Sequence, residues 1–150
     1  MKVIILLAII GVIVLFIIGI YNRLVGLRQK VRQALGDIDA QLRQRHDLVP
    51  NLVSTVKGYA GHEQATLDSV IAARNAAAGA STPEAEAQLT KSLSNLLALG
   101  EAYPDLKASA NFQALQGELA DVEDKLAASR RSLNSATANY NTARESFPAV

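Results

Sequence analysis

The sequence predicts an all-α protein in which an N-terminal transmembrane helix is continuous with a long-helix antiparallel four-helix up-and-down bundle. Hydrophobic residues make up 49% of the chain but aromatic residues only 5%, and such aliphatic, alanine-rich composition favours helices over sheets. Apolar residues recur at steps of three and four, as in amphipathic helices. We therefore expect a transmembrane anchor over residues 1–22 and a helical bundle over residues 23–150.

The first element is an apolar run that contains no charged residue. VIILLAIIGVIVLFIIGI occupies residues 3–20. At about 1.5 Å per residue, this run and its flanks can cross a hydrocarbon core of about 30 Å. The run ends in Gly19-Ile20-Tyr21-Asn22, which is not the small-x-small site of a cleaved signal peptide. We expect a single span that is retained.

Basic residues crowd the carboxyl side of the span. The membrane-flanking basic residues are Arg23, Arg28, Lys30 and Arg32. The positive-inside rule then predicts that the N-terminus lies outside and the bundle in the cytoplasm; a periplasmic bundle is the alternative. The membrane we expect is the bacterial inner membrane. The cluster lacks interleaved aromatic residues, and basic residues beside a span commonly contact anionic lipid head groups. We expect membrane lipid, and no nucleic acid, as a partner.

The first two bundle helices are predicted to meet at a corner. An apolar stripe carries the first helix from the span to about Gln44; it consists of Leu24, Leu27, Val31, Leu35, Ile38 and Leu42. Asp47 can cap a second helix, and Pro50 fits in a first turn because its missing N–H has no intrahelical partner there. This helix-corner motif predicts a second helix from about Asp47 to Gly79.

Two further helices complete the predicted bundle. Ser81-Thr82-Pro83-Glu84 predicts the start of the third, by a capping box or a proline first turn, and Gly100 closes it. The last helix has a heptad repeat of Phe112, Leu119, Leu126, Leu133, Tyr140 and Phe147, with Leu115, Val122, Ser129, Ala136 and Ala143 on the companion seam. This repeat predicts a long helix that packs at a shallow angle and stops near Pro148.

Residues 43–63, RQRHDLVPNLVSTVKGYAGHE, contain both histidines of the chain. The candidate ligand pairs His46-Asp47 and His62-Glu63 are adjacent in sequence, so on a helix their side chains diverge by about 100° and do not share a face. The chain has no cysteine and no serine in an elbow motif. We therefore predict no catalytic residue, no metal site and no cofactor.

Two charged residues lie on the predicted apolar line of the second helix. The spacing 56, 60, 63, 67, 70, 74 places Glu63 and Arg74 there. Either they lie where the bundle opens to water, or they pair with polar groups on other helices, such as Arg130, Asn134 or Gln41. We expect an inter-helix polar network of these five residues that fixes helix register and has no chemical role.

Four segments of the chain resemble the LemA family. They are YNRLVGLRQKV, IDAQLRQRHDLVPNLVSTVKGYAGHE, LLALGEAYPDLKASANFQALQGELADVEDKLAASRR and NYNTARESFP, and they occur in this order across nearly the whole chain. The most specific pieces are HDLVPNLVSTVKGYAGHE and EAYPDLKASANF. The resemblance implies a single-pass, amino-terminally anchored helical bundle. It implies no known enzymatic activity, and relatives are linked to membrane organisation.

These observations favour a non-enzymatic membrane protein whose bundle self-assembles as a homo-oligomer or scaffolds other proteins. The anchor, the heptad helix and the lack of a recognisable active site support this hypothesis. One alternative is an adaptor or accessory subunit of a membrane protease or signalling system. Another is an unrecognised enzyme, which a pocket joining Glu63, His46 and His62 would indicate.

Overall fold

The computed structural model describes residues 1–146 and 148, and these residues form five helices. They are α1 Lys2–Ala60, α2 Gln64–Gly79, α3 Pro83–Ala102, α4 Pro104–Ala108 and α5 Ala110–Glu145. The described residues contain no β-strand. The predicted all-α fold with a long apolar N-terminal helix is confirmed.

The helix α1 contains both the apolar run and the first helix of the bundle. It is 59 residues long, and its most apolar 18-residue window has a mean hydropathy of 3.5 with none of its residues buried. Leu15, for example, is 71% exposed. Moving such apolar side chains from water into hydrocarbon lowers their free energy. By length and composition, this part of α1 can cross a membrane.

The predicted helix break between Gln44 and Asp47 is wrong, because α1 continues through Pro50 to Ala60. A proline inside a helix removes the N–H that would bond to the carbonyl four residues earlier, here that of His46. In this structure, Nε of Arg74 on α2 donates to the His46 carbonyl oxygen at 3.2 Å. The side-chain donor replaces the missing main-chain donor, so the helix can continue.

The helix break lies instead at Gly61, the first residue of the turn between α1 and α2. A Cβ atom at this position would lie 2.9 Å from the carbonyl oxygen of Lys57, so a larger residue would force the backbone to shift. The turn is closed by Glu63, whose N–H donates to the Ala60 carbonyl at 3.0 Å. The helix predicted over residues 47–79 is therefore two helices.

The start of α3 agrees with the sequence prediction. Thr82 is the N-cap residue, and its Oγ1 accepts a hydrogen bond from the Ala85 N–H at 3.1 Å. Pro83 occupies the first helical position, where its missing N–H leaves no carbonyl unbonded. At the other end of α3, a Cβ on Gly100 would lie 3.1 Å from the ring of Phe112, so glycine allows α5 to approach closely.

Packing divides the chain into two units, one of residues 39–126 and one of residues 1–38 with 127–150. In the first, Arg45 bonds to Glu123 and Thr55 to Asn111, so α1 and α5 run antiparallel. The helices α2 and α3 pack together across a three-residue connection and are also antiparallel. This unit is an up-and-down bundle with a core that includes Leu52, Val56, Leu67, Val70, Leu89, Leu96, Val122 and Leu126.

The heptad seam of α5 is the buried face of that helix, as predicted. In the bundle unit the seam consists of Phe112, Leu115, Leu119, Val122 and Leu126, none of them more than 8% exposed. Further along, Ser129, Leu133, Ala136 and Tyr140 are half-buried and Ala143 is buried. The predicted seam residue Phe147 lies outside the described residues.

The second unit pairs the amino-terminal part of α1 with the carboxyl-terminal part of α5. A cavity of about 190 Å³ lies between them, lined by Tyr140 on α5 and by α1 residues that include Tyr21 and Leu24. The predicted division into residues 1–22 and 23–150 separates the chain by its place in the membrane and not by its packing, and it stays a prediction.

Candidate functional site

The bundle unit contains a buried cluster of ionisable side chains. Arg45 on α1 is 1% exposed, His46 beside it 7%, and Glu86 on α3 6%. Charged residues are almost never buried to this extent unless they are paired. The contacts of these three side chains therefore show what the cluster does.

The Arg45 guanidinium is held by groups from two other helices. Its Nη2 forms an ion pair with Oε2 of Glu86 and donates to the Glu86 carbonyl at 3.2 Å. Its Nη1 lies 2.9 Å from Oε1 of Glu123 on α5 and 2.9 Å from Oγ1 of Thr90. The buried Nε has no hydrogen-bond partner among the described residues. One side chain thus joins α1, α3 and α5.

The second carboxylate oxygen of Glu86 is also engaged. Oε1 accepts a hydrogen bond from the Ser81 hydroxyl at 2.8 Å and lies 2.8 Å from Nε2 of His46. Burial raises the pKa of the Glu86 carboxyl. Hydrogen bonds from Arg45, Ser81 and His46 lower that pKa by more than burial raises it, so it lies below its ordinary value of 4.5. Glu86 is therefore ionised at neutral pH, and His46 must donate from Nε2 because a carboxylate only accepts.

Glu63 and Arg74, predicted to join a polar network, are half-buried and each contacts another element. Oε1 of Glu63 accepts a hydrogen bond from the Tyr103 hydroxyl at 2.8 Å, and Nε2 of His62 lies 3.0 Å from that hydroxyl. The bond to Glu63, with some burial, raises the pKa of Tyr103 above its ordinary value. Arg74 contacts the His46 carbonyl, as described above, and its Nη1 donates to Asn75 at 3.3 Å.

The other predicted site residues have varied surroundings. Gln41 is half-buried, and its buried Oε1 has no hydrogen-bond partner in the described part of the chain. Arg130 and Asn134 are exposed on α5. Asp47 and Pro50 are exposed on α1 and form no corner. The membrane-flanking residues Arg23, Arg28, Lys30 and Arg32 are exposed on α1.

The residues of the enzyme hypothesis fall into separate clusters. His46 bonds to Glu86, whereas His62 and Glu63 contact Tyr103. Within residues 1–146 and 148, no group of three or more His, Cys, Asp or Glu side chains is placed to hold a metal ion. In the buried cluster both oxygens of Glu86 are bonded to protein groups. This arrangement is suited to fixing the positions of helices.

Sequence reasoning missed the Arg45 and Glu86 pair, although a signal for it exists. Arg45 precedes Val49 by four residues and Leu52 by seven, so it lies on the buried stripe of a continuous α1. Glu86 likewise precedes the buried Leu89 by three residues and Leu93 by seven. Because a helix break was predicted near residues 44–47, Arg45 was not recognised as part of the buried stripe of α1.

The fold and the buried cluster together define a class of protein: an all-α bundle, joined internally by a buried ion pair, whose first helix begins with a segment able to cross a membrane. The chain belongs to the LemA family, whose sequence model matches residues 34–150. This is not a known enzyme family. No protein of curated function matches the chain.

Proposed function

We propose that this protein is a non-enzymatic, single-pass membrane protein whose bundle self-assembles or holds other proteins at the membrane. The observation that carries the proposal is that α1 includes both the apolar segment and one helix of the bundle without a break. Any partner of the bundle is thereby kept at the bilayer. The span also confines copies to one plane, where the raised local concentration makes weak contacts effective.

The chemistry of the buried cluster supports a framework role. Arg45 and Glu86 are paired with each other and with neighbouring protein groups, and they have little exposed surface, so a substrate would reach few polar atoms there. Breaking a buried ion pair by removing one partner is costly, whereas its net contribution when intact is small. Such a pair selects one packing of the helices, which suits a surface that must keep its shape.

The proposed location is the bacterial inner membrane, with the bundle in the cytoplasm. Arg23, Arg28, Lys30 and Arg32 follow the apolar run and are exposed, and each basic residue near an anionic bilayer contributes about 1 kcal/mol. We expect a reporter fused after Val150 to be protected from protease added outside intact inner membranes. Digestion of that reporter would instead place the bundle in the periplasm.

Self-assembly is tested by the mass of the full-length protein in mild detergent, measured over a range of concentrations. We expect oligomers, and a shortened chain that begins at Tyr21 separates the contributions of span and bundle. Loss of assembly in the shortened chain would assign the association to the membrane segment. A full-length protein that stays monomeric at high concentration would contradict self-assembly and favour the adaptor or enzyme alternatives.

A further inference from the structure

A groove lies between α1 and α2 in the bundle unit, with a volume of about 410 Å³. Its floor includes Val49 and Val53, which are 1% and 8% exposed. Its rim includes Lys57 on α1 and Ile71 and Arg74 on α2. Ile71 is 41% exposed, so a large apolar side chain stands at the opening.

The groove carries positive charge with no carboxylate in its lining. In the described part of the chain, neither Lys57 nor Arg74 lies within ion-pair distance of an acidic group. Arg74 uses Nε and Nη1 within the protein, and its Nη2 bonds to no described residue. The groove thus suits a surface that presents carboxylates beside small side chains that leave room for Ile71.

The outward face of α5 has this composition. Opposite the heptad seam, steps of three and four give an exposed stripe of Ala110, Ala114, Gly117, Asp121 and Asp124. A Cβ atom on Gly117 would meet nothing within 4 Å, so there is open space above the centre of the stripe. Among the described residues Asp121 pairs only with Lys125, at 3.0 Å and on the surface, and such an exposed ion pair contributes little to stability.

The groove and the stripe lie at the same level along the bundle. Arg45 bonds to Glu123 and Thr55 to Asn111. Since Pro50 is midway between residues 45 and 55, it is level with Gly117, which is midway between residues 111 and 123. Arg74 reaches the His46 carbonyl and is therefore near the level of Asp121. Copies anchored by the same span in the same sense would bring groove and stripe side by side.

We propose that the groove between α1 and α2 binds the outward stripe of α5 from a second copy. Ile71 would pack over Gly117, and Arg74 would face Asp121. The inference rests on the proposed self-assembly and adds its contact surfaces. If two grooves faced each other, Lys57 and Arg74 of one copy would lie against the same cations of the other, and like charges repel. The contact is therefore head-to-tail, and it generates a ring or an open row of copies.

Two substitutions test the contact in the full-length protein. Gly117→Leu fills open space in its own copy and replaces glycine by a better helix former, but it blocks the stripe. Ile71→Asp places a carboxylate over Gly117, one helical turn from Asp121, and removes the apolar side chain of the contact. We expect each to weaken self-association at least about tenfold, equivalent to about 1.4 kcal/mol, in sedimentation measurements in mild detergent. Gly36→Leu is the matched control, because a Cβ at Gly36 also meets nothing within 4 Å.

A mixture of the two variants tests the head-to-tail geometry. The Gly117→Leu copy keeps an intact groove, and the Ile71→Asp copy keeps an intact stripe, so an equimolar mixture can form one contact. At a concentration where the wild type assembles and the tenfold weaker contact dissociates, we expect each variant alone to be monomeric and the mixture to form complexes of two copies. A mixture that stays monomeric would overturn the proposal. Circular dichroism melting of each variant verifies that the bundle remains folded.

The outcomes separate this inference from the proposed function. A wild-type protein that is monomeric throughout would overturn both. A wild-type protein that assembles, with both variants assembling equally well, would overturn only the contact described here.

Discussion

Nε of Arg74 donates a hydrogen bond at 3.2 Å to the carbonyl oxygen of His46, which is the oxygen that Pro50 leaves without a main-chain donor. This contact explains two features that are unusual separately: a proline inside a long helix, and a cation on an apolar helical line. Because the donor comes from α2, the continuity of α1 depends on the packing of its neighbour.

The first prediction concerns this contact. Arg74→Ala leaves the His46 carbonyl without its donor and should lower the free energy of unfolding by about 1–3 kcal/mol. Pro50→Ala supplies a main-chain N–H to the same oxygen, so the Arg74→Ala loss should be smaller in that background. Urea unfolding of the four proteins of this double-mutant cycle measures the coupling. Equal losses in both backgrounds would show that Arg74 does not compensate for the proline.

The second prediction compares two arginines of α1. Arg45→Ala leaves the buried Glu86 carboxylate without its ion-pair partner and should cost about 3–5 kcal/mol of stability. Arg43→Ala should cost about 0.5 kcal/mol or less, because its side chain is 76% exposed and its ion pair with Asp39 lies on the surface. Denaturant unfolding of both variants provides the comparison, and similar losses would contradict the importance of the buried pair.

The third prediction concerns acid. The pKa of Glu86 is lowered in the folded protein, so its ionised form contributes stability that is fully present above the ordinary value of 4.5 and is lost as pH falls through the folded-state pKa. The melting temperature should therefore fall more steeply below pH 4.5 in the wild type than in Glu86→Gln. Glu84→Gln, on the exposed surface of the same helix, should keep the wild-type slope. A wild-type slope in Glu86→Gln would assign the acid sensitivity to other groups.

The fourth prediction tests the heptad seam. Leu126 is fully buried, and Leu126→Ala should cost about 2–5 kcal/mol through lost burial and the cavity left behind. Asp124 is exposed on the same helix, so Asp124→Ala should change stability by about 0.5 kcal/mol or less. Thermal unfolding distinguishes the two, and equal effects would mean that another face of α5 is buried.

The features that could be predicted from the sequence are those fixed by neighbouring residues. The seam from Phe112 to Leu126 follows from a repeat of apolar side chains, and the Thr82 cap follows from a hydroxyl placed before a proline. The helix boundary at Gly61 was missed because Pro50 carried the stronger local signal. That signal was overruled by Arg74, whose partner His46 is 28 residues away in the chain.

The buried cluster could not be assigned for a related reason. A helical pattern shows that Arg45 shares a face with apolar residues, but it does not identify which carboxylate will meet the guanidinium. The same reasoning selected Glu63 and Arg74 from their positions on an apolar line, and the structure gives them Tyr103 and the His46 carbonyl as partners. Position along a stripe indicates burial, whereas pairing depends on how the helices come together.

The sequence separation within the cluster has a consequence for biosynthesis. Glu86 follows Arg45 by 41 residues and Glu123 follows it by 78, so a ribosome adding about 5–20 residues per second needs roughly 4–16 s to produce the later partner. Until Glu123 is available, the Arg45 guanidinium is more stable in water than buried without that partner. The apolar amino-terminal segment has by then already left the ribosome. Closure of the bundle is therefore delayed until α5 has been synthesised, and a nascent chain cut short before α5 leaves Arg45 without Glu123 and leaves the core residues that pack against the heptad seam exposed.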